Sequence, residues 1–123
     1  MDVACGIGIV ARSALTLVGG SGRVAGLDIN SGMLEMAASL EPSIKWIEAN
    51  VMDMPFSDNE FDVVVCQHGL QFVPDRLVAV MEMYRVLNSG GRVALSTWYA
   101  LDRYFPDGIQ CLQNTPSEIA QTV

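Results

Sequence analysis

Two acidic residues and a short glycine-containing turn stand close together at the start of the chain. Asp2 lies near the end of a first predicted strand, Gly6 and Gly8 follow it, and Asp28 ends the next apolar segment. Glycine lets the chain turn sharply and lets the backbone approach a ligand closely. A carboxylate at the end of a second strand can accept hydrogen bonds from both hydroxyls of a ribose. The pattern predicts one side of a nucleotide-binding cleft, with a glycine-rich turn that binds no ligand as the alternative.

The same turn also fits a dinucleotide. The spacing Gly6-x-Gly8-x-x-Ala11 satisfies the dinucleotide fingerprint, because the third position of that fingerprint tolerates alanine. An NAD(P)-binding oxidoreductase is therefore one function that these residues allow. The turn by itself does not show whether the ligand of the cleft is a dinucleotide or another nucleotide.

The side chains that most often do acid, base or nucleophilic chemistry are few. His68 is the single histidine and follows the predicted fourth strand, where open α/β sheets place ligand-contacting groups. It invites a role as general base, but a lone histidine beside a cofactor is more often a contact or a hydrogen-bonded structural residue. Cys5 and Cys66 have no basic neighbour in sequence, so we interpret both as small apolar residues. We assign no catalytic residue and no covalent mechanism.

Composition excludes several other classes. The chain has 123 residues, is 50% hydrophobic and carries a formal net charge of −7, so we expect one folded domain and no nucleic-acid partner. Its three cysteines lack CxxC spacing, which predicts neither a disulfide framework nor a metal site and favours a reducing compartment. No apolar run reaches the roughly 18 residues that span a bilayer. We expect a soluble, cytoplasmic protein that does not enter a membrane.

Short apolar runs alternate with helical patterns, which predicts an α/β fold with a doubly wound, mostly parallel sheet of about five strands. Strands are expected over residues 1–4, 23–28, 44–49, 61–66 and 92–98, and the nearly continuous apolar run at 61–66 predicts the middle strand. Helices are expected over 9–18, over 32–40 with Ser31 as N-cap, from 74 to the glycines at 90–91, and after Thr115. We expect residues 1–98 to form the core of the domain and 99–123 a tail with a short helix.

Five segments in this order carry a family resemblance: Asp2-Val-Ala-Cys-Gly-Ile-Gly, Gly26-Leu-Asp-Ile, Met54-Pro-Phe, Phe61-Asp-Val-Val and Arg85-Val-Leu-Asn-Ser-Gly-Gly-Arg-Val-Ala-Leu. Together they resemble the class I S-adenosylmethionine-dependent methyltransferases over about residues 1–98. The segment 66–76 is similar to the small-molecule branch called methyltransferase type 11. The resemblance implies a Rossmann-like fold, S-adenosylmethionine as cofactor and a small-molecule methyl acceptor.

The resemblance also assigns roles to residues. It implies that Asp2 lies near the amino group of the methionine part, that the backbone from Ala4 to Gly6 lines the cofactor, and that Asp28 holds the ribose. The predicted cofactor-binding residues are Asp2, Ala4, Cys5, Gly6, Gly8, Asp28, Ile29, Met33, Asn50, Val51, Gln67 and His68.

The adenine side departs from the family, because Asn50 followed by Val51 stands where an acidic residue is usual. Asn50 can still accept a hydrogen bond from the adenine amino group, but without charge, so we expect weaker cofactor binding. Asp53 is either a substitute or, more in keeping with its type, a solvated loop residue. Ile29 and Met33 would pack on the adenosine, although helical spacing equally allows Met33 a place in the core.

Methyl transfer from a sulfonium requires chiefly an acceptor held in line, and we expect that acceptor above residues 67–72. The chain begins at the end of strand one and continues only to Val123 after strand five, so the elements that usually cover this family's site are expected to be missing. A catalytically silent methyltransferase-like fragment that serves as an interaction module is therefore the second candidate, and the oxidoreductase the third. The apolar edge at 93–95 predicts a homodimer through strand five or a product of marginal stability.

Overall fold

The computed structural model of the protein describes residues 1–97. Three helices and five strands alternate along this part of the chain, with one short 3-10 helix. In chain order they are β1 (Asp2–Val3), α1 (Ile9–Leu17), β2 (Ala25–Asp28), α2 (Ser31–Leu40), β3 (Lys45–Glu48), β4 (Phe61–Gln67), the 3-10 helix Leu70–Phe72, α3 (Arg76–Arg85) and β5 (Leu87–Ser96).

The five strands form one parallel sheet in the order β3-β2-β1-β4-β5. The chain builds the sheet outward from β1 to β3, then crosses over and adds β4 and β5 on the other side. In open α/β sheets, ligands bind beyond the carboxyl ends of the strands at such a reversal. The predicted Rossmann-like fold is confirmed, and the reversal places a site between β1 and β4.

Phe61–Gln67 is not the middle strand, which corrects the expectation from its apolar sequence. The central strand is β1, and Asp2 pairs with Gly26 of β2 on one side and with Val65 of β4 on the other. The run of valines in β4 suggested burial on both faces, yet Val63 is 40% exposed. The central strand itself contributes two residues, too few to show any periodicity.

Two element boundaries also differ from the sequence prediction. The N-cap of α2 is Asn30 rather than Ser31, because the Asn30 side chain accepts a hydrogen bond from the Met33 N–H at 3.1 Å. Strand β5 starts at Leu87, before the two glycines, and its pairing with β4 is interrupted until Arg92. The glycines at 90–91 therefore form an irregularity within β5 and do not end α3, which ends at Arg85.

The core lies between the sheet and α3. Its largest fully buried side chains are Leu27, Met83, Val3, Val64, Val86 and Cys66. Strand β5 forms one edge of the sheet that residues 1–97 build. Its pairing with a second copy of the chain stays a prediction. The predicted tail over 99–123, including its helix, lies outside the described residues. None of the helices within residues 1–97 combines the length and hydrophobicity that crossing a membrane requires.

Candidate cofactor-binding site

A tight turn connects β1 to α1 and forms the floor of the candidate site. Ala4, Gly6 and Gly8 all have positive φ, at 53°, 53° and 78°. The Cys5 N–H donates to the Leu27 carbonyl at 3.0 Å, and the Gly8 N–H donates to the Cys5 carbonyl at 2.8 Å. These bonds tie the turn to β2 and close it on itself, so that α1 starts at Ile9 directly above it.

The two glycines of this turn serve different purposes. A Cβ at Gly6 would meet nothing within 4 Å, so the space beside Gly6 is open for a ligand. A Cβ at Gly8 would overlap the indole ring of Trp46, and one at Gly26 would overlap the same ring. In the structure the missing side chain of Gly8 makes room for a tryptophan of β3, and its contact with the cofactor stays a prediction.

Asp2 is a buried carboxylate, with 3% of its surface exposed. Its Oδ2 accepts a hydrogen bond from the Ala11 N–H in the first turns of α1, at 3.0 Å. Burial raises the pKa of Asp2 to about 6, and the bond from Ala11 acts in the opposite direction. A carboxylate in this environment gains from a cationic partner, so the group is suited to hold an ammonium.

Asp28 is half-buried and bonded to backbone at both of its oxygens. Its Oδ2 accepts from the Gly6 N–H at 2.8 Å, and its Oδ1 accepts from the Asn30 N–H at 2.9 Å. Each carboxylate oxygen has a second lone pair. The two N–H groups therefore hold the side chain in place. Each oxygen keeps one lone pair that can accept a hydrogen bond from a hydroxyl, as a ribose diol requires.

Asp2 and Gln67 border one cavity of about 210 Å³, whose lining is completed by Ala4, Cys5, Gly6, Ile7, Ile9 and Val10. Five of these residues were predicted to bind the cofactor. The apolar wall of Ile7, Ile9 and Val10 was missed, although these residues directly follow Gly6 and that position was the available signal. Sites that enclose a drug-sized ligand measure roughly 300–1,000 Å³. The cavity therefore has room for one end of S-adenosylmethionine, the end beside Asp2.

The residues predicted to bind the adenosine follow β2 and β3. Ile29 is 69% exposed and Met33 is 45% exposed, so the core alternative for Met33 is wrong. Asn50 is exposed, and its Oδ1 accepts the Met52 N–H at 2.9 Å. The Val51 side chain, in contrast, is buried in the core, which leaves its backbone as the part that can meet a ligand.

The carboxyl end of β4 completes the site on its other side. Gln67 is exposed and borders the cavity, whereas His68 is not among the residues that line it. The His68 backbone has a φ of 55° and its N–H donates to the Ser96 carbonyl at 2.8 Å. A Cβ at Gly69 would overlap that of Ala4, so the chain after β4 lies directly against the glycine turn.

The two described cysteines are poor nucleophiles. Burial raises the pKa of Cys5 to about 12 and that of Cys66 to about 11, and the negative charges of Asp2 and Asp28 add to both effects. Both thiols are free. Across residues 1–97, no group of three or more histidine, cysteine or acidic side chains is arranged to hold a metal ion.

Open space at Gly6, a buried carboxylate and an anchored diol acceptor fit the methionine and ribose parts of S-adenosylmethionine. Comparison with known proteins gives the same direction, since residues 1–95 match the family profile described as a methyltransferase domain of type 11. The chain is similar in structure to an S-adenosylmethionine-dependent methyltransferase from Mesorhizobium loti, with a TM-score of 0.71 and 28% identity. That similarity covers 78% of this chain and 44% of the other.

Two curated relatives carry more specific names. The chain is 43% identical over 103 residues to the chloroplastic 2-phytyl-1,4-beta-naphthoquinone methyltransferase of Arabidopsis thaliana, covering 77% of this chain and 40% of that protein. It is also 43% identical over 97 residues to a demethylmenaquinone methyltransferase of Staphylococcus aureus, covering 76% and 40%. The chain thus spans about two fifths of the length of these relatives. Because the family profile spans most of the chain, the protein belongs to the type 11 methyltransferase domain family, whose cofactor is S-adenosylmethionine.

Proposed function

We propose that the protein transfers a methyl group from S-adenosylmethionine to a small-molecule acceptor. The observation that carries this proposal is that two carboxylates are fixed by backbone N–H groups in and directly after the turn between β1 and α1. Asp2 accepts a hydrogen bond from Ala11 of α1, Asp28 accepts one from Gly6, and a Cβ at Gly6 would meet nothing within 4 Å. Asp2 thus offers an anionic partner beside the cavity, and Asp28 offers a diol acceptor that is bonded to the turn lining this cavity.

Six of the predicted residues bind the cofactor directly in this proposal. Asp2 accepts a hydrogen bond from the ammonium of the methionine part, and Asp28 accepts hydrogen bonds from both ribose hydroxyls. Exposed apolar side chains at Ile29 and Met33 cover the adenine face. The Asn50 side-chain oxygen accepts a hydrogen bond from the adenine amino group, and the Val51 backbone lines the same edge of the adenine.

When bound, S-adenosylmethionine supplies a methyl group that is already activated by a sulfonium. The protein then has to hold an acceptor in line and to keep water away from it. Gln67 borders the cavity at the carboxyl end of β4, so the acceptor lies beyond this residue and beside the 3-10 helix Leu70–Phe72. His68 contributes through its backbone bond to Ser96, which fixes the end of β4.

We further propose that the acceptor is a naphthoquinone-type ring that carries an apolar chain. The two curated relatives are named for such quinones. Phe72, which is 79% exposed, stands next to the position proposed for the acceptor. A flat aromatic acceptor can stack on such a ring, since offset and edge-to-face aromatic pairs contribute about 0.5–1.5 kcal/mol each. A cytoplasmic location stays a prediction, and one of these relatives is chloroplastic.

Calorimetric titration of the protein with S-adenosylhomocysteine tests cofactor binding. We expect saturable binding that is lost in Asp28→Ala, with NADH as the control that should not bind. Binding of NADH alone would instead support the oxidoreductase.

Methyl transfer is tested separately with labelled S-adenosylmethionine and a reduced naphthoquinone. Transfer to the quinol would support the proposed acceptor class. Cofactor binding without transfer to any aromatic acceptor would favour the silent methyltransferase-like module.

A further inference from the structure

Glu82 and Arg85 lie one helical turn apart near the end of α3 and form an ion pair. Arg85 Nε donates to Glu82 Oε1 at 2.6 Å, and Arg85 Nη2 donates to Glu82 Oε2 at 2.9 Å, which makes the contact bidentate. The Glu82 side chain is 18% exposed and the Arg85 side chain 31% exposed. The guanidinium lowers the pKa of Glu82, and the carboxylates of Glu82 and Asp58 raise the pKa of Arg85. Both groups are therefore charged at neutral pH.

The pair holds the backbone of the segment that follows β3. Glu82 Oε2 accepts the Met54 N–H at 2.8 Å, and Arg85 Nη2 donates to the Met54 carbonyl at 3.0 Å. Arg85 Nη1 donates to the Phe56 carbonyl at 2.8 Å. Three backbone groups within three residues are thus fixed by two side chains of a different element.

That segment begins at the proposed adenine edge of the site. The Asn50 side chain accepts the Met52 N–H, and the Asn50 carbonyl accepts the Asp53 N–H at 3.0 Å, so residues 50–53 form a closed turn. Val51, within this turn, and Met54, directly after it, are both buried in the core. The chain between Asn50 and Met54 is therefore held by hydrogen bonds and by buried side chains.

We propose that Glu82 and Arg85 are positioning residues for cofactor binding, which they serve by fixing the Asn50–Met54 segment against α3. Neither side chain touches the cofactor. The inference rests on the proposed function, because it takes Asn50 as the acceptor of the adenine amino group. Loss of the pair should loosen the adenine edge and leave the Asp2 and Asp28 contacts in place.

The test compares two ligands that differ only at the adenine. S-Adenosylhomocysteine carries the exocyclic amino group, and S-inosylhomocysteine carries an oxygen at that position. In Glu82→Gln and Arg85→Lys, we expect affinity for S-adenosylhomocysteine to fall about tenfold, the size of one weakened hydrogen bond. Affinity for the inosyl analogue should stay within about twofold, since it does not use the Asn50 acceptor. Asp58→Asn is the matched control, because the 70% exposed Asp58 side chain contacts Arg85 at 2.8 Å and does not hold the backbone at Met54.

A merely structural role would give a different result. If the variants lost affinity for both ligands equally, or for neither, the proposal would be overturned. Hydrogen exchange of the unmodified protein covers the case in which a variant does not fold. In the unmodified protein, S-adenosylhomocysteine should slow hydrogen exchange of the Met54 amide. Unchanged exchange across residues 50–56 would count against the proposal. If the unmodified protein bound neither ligand, the proposed function itself would fail, which is distinguishable from loss of discrimination alone.

Discussion

Asp2→Asn is expected to make the protein more stable at neutral pH and less able to bind its cofactor. The carboxylate is 3% exposed, and burial raises its pKa from 3.8 to about 6. Its charged form is therefore disfavoured in the folded state. An asparagine cannot ionise, and its Oδ1 can keep the hydrogen bond that the Ala11 N–H donates at 3.0 Å.

The magnitude follows from that change in pKa. A tenfold change in an acid constant corresponds to about 1.4 kcal/mol, so ionisation of Asp2 at pH 7 lowers the free energy of unfolding by roughly 3 kcal/mol. We expect Asp2→Asn to regain roughly 1–3 kcal/mol of this. Removal of the charge also removes the partner of the cofactor ammonium, and a hydrogen bond to a charged group contributes about 1.5–3 kcal/mol. Affinity for S-adenosylhomocysteine should fall about 10- to 100-fold.

The pH dependence fixes the sign of both effects. Between 3.8 and about 6 the folded protein binds more protons at Asp2 than the unfolded chain does, so the contribution of this residue to stability falls as pH rises through that window. The stability difference between variant and parent should be small near pH 4 and full above pH 6. Ligand affinity of the parent should decrease as pH falls below about 6, whereas that of the variant should not.

Urea unfolding at several pH values and calorimetric titration measure the two effects on the same samples. Glu35→Gln is the matched control, since it removes one carboxylate from an exposed position of α2. A variant that is less stable than the parent at pH 7 would refute the burial argument. A variant that binds S-adenosylhomocysteine as tightly as the parent would refute the assignment of Asp2 to the ammonium.

Three further predictions concern the glycine turn and the adenine edge. Gly8→Ala should lower the free energy of unfolding by about 2–4 kcal/mol, because its Cβ would overlap the Trp46 ring at a position with positive φ; urea unfolding measures this. Gly6→Ala should lower the free energy of unfolding by only about 1–2 kcal/mol. It should also reduce S-adenosylhomocysteine binding, because its Cβ would enter the open space of the site. Equal losses of stability in the two variants would contradict the different roles of Gly6 and Gly8. Asn50→Asp should raise S-adenosylhomocysteine affinity several-fold by supplying a charged acceptor, and unchanged affinity in titration would place the adenine elsewhere.

The position of the candidate site could be predicted from the sequence because its parts are local. Asp2 lies in β1 and Gly6 in the turn that follows it, and Asp28 ends the adjacent strand. A polar residue at the end of an apolar run carries its own signal, and parallel strands bring such ends to one edge of the sheet. The family resemblance was confirmed, and within residues 1–97 the chain order of strands and helices matched the prediction, although the boundary between α3 and β5 did not.

Contacts between distant elements gave no such signal. Trp46 fills the space left by Gly8 and Gly26, and Arg85 binds the backbone at Met54, yet no short pattern links these positions. The middle of the sheet was also misplaced, because apolar content indicates burial but not strand order. Sequence periodicity describes an element and its faces, whereas these features depend on which elements become neighbours.

The two carboxylates of the site differ in burial in a way that matches the partners proposed for them. Asp2 is buried, and attraction between opposite charges is stronger in a low-dielectric environment, so this position favours an ammonium. Asp28 is half-buried and bonded to two backbone N–H groups, which fixes the direction of its lone pairs. Neutral hydroxyls depend on that direction more than on charge. Exchange of the two environments would therefore weaken both contacts, even though the residue type at each position is the same.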